Sequence, residues 1–212
     1  MTTRDPLDHG WWLASRSAGI VAYLLLSCAV LLGLAMALRL APAQLRGVVR
    51  QAHERVALLA LGAIGAHALL LLGDGFLRPG LGGVLVPFTM THRPLWTGLG
   101  ILAAYLTAGL ALTFYARRRL GPARWRTAHR LIPAAWLLAA VHALGAGSDT
   151  GSLWLQAPLA LTLAAGLTLL GFRLPGTATG AGAPAVATAP PPAAAPSPPP
   201  PPRPERLWAT DR

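Results

Sequence analysis

Five apolar runs, each close to the thickness of a bilayer, divide the first 172 residues: 18–38, 56–73, 95–115, 131–146 and 152–172. About 20 apolar residues cross a hydrocarbon core, and a segment inside lipid must satisfy its own backbone hydrogen bonds. Continuous runs of this kind therefore predict helices. The expected fold is all-α: a polytopic membrane helical bundle of about five transmembrane helices in a lipid bilayer. Only 12% of residues are charged, roughly half the share of an ordinary soluble domain, and the mean hydropathy is +0.50. The runs 56–73 and 131–146 are short. A further apolar piece, 84–90, is too short to cross and belongs at the surface or as a cap. Trp11, Trp12, Trp96 and Trp154 fall near run ends, where an aromatic belt places them. The first run starts near Ala18, is too long for a signal-peptide core and has no clear cleavage site after it, so it reads as a retained span.

Orientation follows from the arginines. Arg39, Arg46, Arg50 and Arg55 follow the first run, and Arg117, Arg118, Arg119, Arg124, Arg126 and Arg130 follow the third. The alternate loops hold Arg78 and Arg93 with Asp74 and Asp149. Positively charged loops stay in the cytoplasm. The expectation is a bacterial plasma-membrane protein with its N-terminus outside and its C-terminus cytoplasmic. All eighteen basic residues are Arg, a usage that, with abundant Ala, Gly, Pro and Leu, fits a GC-rich genome. The net charge of +11 lies beside spans and lacks interleaved aromatics, which argues against a nucleic-acid partner. Three regions follow: an extracytoplasmic segment 1–17, a bundle 18–172, and a cytoplasmic tail 173–212. Eleven of the twenty prolines lie between positions 184 and 204, so this Pro/Ala tract is expected to be extended or disordered, most simply a spacer.

Four histidines stand in or beside two of the apolar runs: His53 and His67 on one, His129 and His142 on the other. Ionisable groups within membrane spans are costly and mark functional sites by default. An interfacial histidine alone is usually a solvated helix end, but four in register on two parallel spans argue for ligands. Each pair spans about 20 Å at 1.5 Å per residue. One metal ion, whose two axial nitrogens lie only about 4 Å apart, cannot take both histidines of one helix. Ligation between helices is expected: His53 with His129 at the inner rung, and His67 with His142 at the outer. Two imidazoles fill both axial positions of a haem iron and favour electron transfer over dioxygen chemistry. Cys28 lies alone in mid-span, without a Cys-x-x-Cys-His motif, so the two expected haem b groups are non-covalent.

The fourteen-residue spacing of the first pair returns to within about 40° of the same helix face, whereas thirteen residues land roughly 140° away. Pro133 offers a remedy, because it removes the hydrogen bond to the His129 carbonyl and can kink the chain there. Gly62, Gly65 and Ala66 beside His67 leave room for a flat macrocycle. Arg55 and Arg130, with Arg50 and Arg126, are candidate propionate partners, although topology alone explains each of them equally well. His9 and His92 fall outside the spans and are assigned no role. Asp74 and Asp149, each seven residues after an outer histidine, read as helix-end polar residues.

The runs Arg93-Pro-Leu-Trp-Thr-Gly-Leu-Gly, Arg117-Arg-Arg-Leu-Gly, Trp125-Arg-Thr-Ala-His129 and Val141-His-Ala-Leu-Gly-Ala-Gly-Ser-Asp149 resemble the ferric reductase-like transmembrane domain superfamily. That superfamily includes ferric reductases, NADPH oxidases and the haem-binding subunit of a bacterial methionine sulfoxide reductase system. The resemblance covers roughly 12–172 and implies two bis-histidine b haems held by two helices. Family cores usually have six helices, so five fit loss of the first, with the histidines on equivalents of the third and fifth. No flavin or nicotinamide domain and no dinucleotide fingerprint follow the last run. FAD and NAD(P)H are therefore not expected on this chain. The expectation is an oxidoreductase-type cytochrome subunit that passes electrons from a separate flavoprotein or quinol to an extracytoplasmic acceptor. Its rivals are a superoxide- or peroxide-producing oxidase subunit and a non-haem membrane scaffold or transporter.

Overall fold

A computed structural model describes residues 6–147 and 150–173. The described chain is helical: α1 (Pro6–Ala37), a 3-10 turn (Ala43–Leu45), α2 (Arg46–Leu71), α3 (Gly80–Leu85), α4 (Pro94–Leu120), α5 (Pro122–His129), α6 (Ile132–Ala146) and α7 (Leu153–Arg173). The Pro/Ala tract and Asp149 lie outside the described residues.

Four helices are long and apolar enough to cross a membrane: α1 from Gly10, α2 with its preceding turn, α4 and α7. Among the described residues these are the helices of at least 18 residues that qualify, and the remaining expected run makes a shorter apolar helix. The run 131–146 forms α6, whose 15 residues rise only about 22 Å. The chain breaks just before it: α5 ends at His129, and α6 starts at Ile132 with Pro133 in its first turn. Proline has no amide to donate to the carbonyl four residues back, and it is tolerated where a helix begins. The first span also begins earlier than expected, since α1 runs back through residues assigned to the N-terminal segment. The piece 84–90 contributes the end of the short helix α3 and then leaves helical conformation.

Two antiparallel hairpins organise the bundle. Helix α1 lies along α2, and α4 lies along α6; α1 also touches α6 and α7, which joins the hairpins. The core gathers Tyr23, Leu26, Val30 and Leu34 of α1 with Ala60, Trp136, Ala140 and Leu159. Trp136 is fully buried, rests on Gly166 and donates its indole N–H to the Ser27 hydroxyl at 2.9 Å. Tyr23 and Thr162 exchange a hydroxyl hydrogen bond at 3.0 Å. A buried Trp with a satisfied N–H suits this low-dielectric setting.

Much of the exterior is apolar. Leu59, Leu69, Leu161 and Phe172 are 61–73% exposed. Exposed apolar surface on this scale mismatches water and matches lipid tails. The chain is a multi-pass membrane protein.

Candidate functional site

The bundle brings together the histidine pairs expected from spacing. The ring centroids of His53 and His129 lie 6.2 Å apart at an interplanar angle of 83°, and those of His67 and His142 lie 6.4 Å apart at 65°. All four rings are half-buried. Their helices, α2 on one side and α5–α6 on the other, share no extended backbone contact. The two histidines of each rung therefore face each other from different hairpins.

Three of the rings are held by the helix behind them. His67 Nδ1–H donates to the Ser15 carbonyl at 2.8 Å, and the Ser15 hydroxyl donates back to the His67 carbonyl at 3.1 Å. His53 Nδ1–H donates to the Ala29 carbonyl at 2.9 Å, and His142 Nδ1–H to the Trp96 carbonyl at 2.8 Å. A carbonyl only accepts, so these contacts assign the proton to Nδ1 and leave Nε2 as the basic nitrogen.

The same local device recurs three times. In an α-helix the carbonyl of residue i already accepts from the amide of residue i+4, so a ring docked there lies over that residue. Position i+4 is glycine in each case: Gly19 after Ser15, Gly33 after Ala29, and Gly100 after Trp96. A Cβ would stand 3.0 Å from His67 Nδ1 at Gly19, 3.3 Å from His53 Cε1 at Gly33, and 2.5 Å from His142 Nδ1 at Gly100. The α1 acceptors and glycines repeat every fourteen residues, in step with His53 and His67.

His129 breaks the pattern. The residue fourteen after Trp96 is Leu110, whose carbonyl lies close enough to raise the His129 pKa, yet Nδ1 makes no hydrogen bond. Phe114 occupies the i+4 place. The His129 ring instead stacks on Trp125 at 5.4 Å and 29°, and Trp125 packs against Phe114. Burial, then the neighbouring His53, push the His129 pKa down, and Arg173 adds to the effect. The imidazole is thereby held neutral, the form that binds a metal.

Other expectations find different places. Gly62 and Gly65 face open space, and the crowding falls on Gly19, Gly33 and Gly100. Arg55 and Arg130 flank the inner pair in sequence and are exposed, as are Arg50 and Arg126. His92 is exposed and has no role in the site. Asp74 is buried, with one carboxylate oxygen accepting the amides of Phe76 and Leu77 at 2.8 and 3.1 Å. It shapes the turn after α2.

No protein-family model, curated protein or solved structure matches this chain.

Proposed function

We propose that this chain is a di-haem b cytochrome that carries single electrons across a bacterial plasma membrane. The observation that carries the reading is the spacing of the facing rings. An imidazole nitrogen sits about 2 Å from a ligated metal, and with each ring centre about 1.1 Å further back, two axial imidazoles stand roughly 6.3 Å apart. The two pairs measure 6.2 and 6.4 Å.

Each proposed centre has two protein ligands, one histidine from each side. A site with only two protein ligands suits a metal whose four remaining ligands come from a macrocycle. His53 and His129 would hold the inner haem, and His67 and His142 the outer. Haem iron, when bound, supplies a one-electron couple. The chain contributes orientation: carbonyl acceptors fix three tautomers, glycines admit the rings, and a flat group would lie between the facing imidazoles. Arg55 and Arg130, two residues after His53 and one after His129, would meet the carboxylates of a haem at the inner rung. By the positive-inside rule that rung lies on the cytoplasmic side, where a separate flavoprotein or quinol would deliver electrons for an extracytoplasmic acceptor.

A reduced-minus-oxidised spectrum of purified protein, with haem-to-protein stoichiometry, tests this directly. Two low-spin haems per chain are expected. His67→Ala and His142→Ala should each remove about half the haem and leave the inner centre low-spin. A sample without Soret and α bands, or full retention in both variants, refutes the assignment.

A further inference from the structure

The inner rung differs from the outer, and the difference continues to the protein surface. Behind His129 stands a run of aromatic rings. Trp125 lies nearly parallel to the imidazole at 5.4 Å, Phe114 meets Trp125 at 5.9 Å, and Tyr115 meets Phe114 at 5.5 Å. Tyr115 is 61% exposed, while Phe114, Trp125 and His129 are half-buried. The Arg117 guanidinium sits over the Phe114 face, 3.7 Å from its centre, and Arg118 and Arg119 follow in the same turn.

Two observations separate this run from ordinary packing. The Trp125 indole N–H is buried without a hydrogen-bond partner among the described residues. Phenylalanine would fill much of the same space without stranding a donor, so hydrogen bonding does not explain a tryptophan there. Phe114, in turn, holds the position where the other three histidines find a glycine beside their carbonyl acceptor. At this one ligand the anchoring hydrogen bond is replaced by a stacked indole, from which edge-to-face contacts through Phe114 lead to exposed Tyr115.

We propose that Tyr115, Phe114 and Trp125 form the route by which single electrons enter the His53/His129 centre; the proposal rests on the haem reading above. Adjacent rings in contact bridge the distance from surface to ligand, and the arginines beside them attract an anionic donor such as a reduced flavin bearing phosphate. Each event would oxidise the flavin by one electron and reduce a metal bound by His53 and His129 by one. The rings are not oxidised, no bond in the protein forms or breaks, and any proton shed by the flavin goes to water.

The test uses the full-length haem-loaded protein with photoreduced flavin mononucleotide as the donor, followed by stopped-flow absorbance. Trp125→Leu should keep the haem content and low-spin spectrum while slowing inner-centre reduction by roughly tenfold or more, and Trp125→Phe should restore the rate to within about threefold. If Trp125→Leu loses haem, Phe114→Leu decides the matter, because it leaves the Trp125–His129 stack in place: a slowed rate supports the route. Wild-type rates in haem-loaded Trp125→Leu or Phe114→Leu overturn the route and leave the haem reading intact. Loss of haem from Trp125→Phe also overturns it, by making the indole N–H an anchor. A wild-type protein without haem overturns both.

Discussion

The smallest unit that shapes the site is a carbonyl followed four residues later by a glycine. Ser15 with Gly19, Ala29 with Gly33, and Trp96 with Gly100 each dock one imidazole. The three glycines tolerate a methyl group to different degrees, which predicts a graded series. Gly100→Ala meets His142 most closely and should remove most of the outer haem. Gly19→Ala should weaken the outer centre less, and Gly33→Ala should leave the inner centre nearly whole. Haem-to-protein ratios check the order; equal ratios across the series would refute docking over glycine. The histidines were legible from sequence because an ionisable group in an apolar run stands out. Their acceptors were not, since every residue carries a backbone carbonyl and its identity leaves no mark. Only the glycine four residues on leaves a trace, in the repeat from Gly19 to Gly33.

Among the elements, the break between α5 and α6 matters most. Spacing showed that thirteen residues cannot keep His129 and His142 on one face of a straight helix, and it pointed to Pro133 as the remedy. The fold resolves the conflict with two helices and a turn at Arg130–Leu131, not with a kink in one. Gly121, at φ +83°, makes the preceding turn out of α4, so α5 is set by a left-handed glycine at one end and a proline-started helix at the other. Pro133→Ala returns an amide to the His129 carbonyl and favours one continuous helix, which would swing the His129 ring roughly 140° from the His142 face. The expected outcome is selective loss of the inner haem with the outer retained. An unchanged inner-centre spectrum would mean the turn is set by other contacts.

Across the whole molecule, two hairpins meet through α1 and leave a wide apolar exterior for lipid. The arginine-bearing turns, one between α1 and α2 and one around α5, lie at one end of the helices, and the turns after α2 and α6 lie at the other. The positive-inside rule then predicts a topology that labelling can check. In a Cys28→Ser background, a cysteine at Thr150 should react with an impermeant maleimide in intact cells, and one at Ala123 only after lysis. The opposite pattern would invert the proposed direction of electron flow.

Helix content, the membrane setting and the four histidines were determined by the sequence alone, because hydropathy and intramembrane charge act locally and with large energies. The division of the fourth run into α5, a turn and α6, and the carbonyl-glycine docks, were decided only by tertiary structure. Each depends on which helix lies behind which ring, and that relation between distant residues arises when α1 packs on α2 and α4 packs on α6.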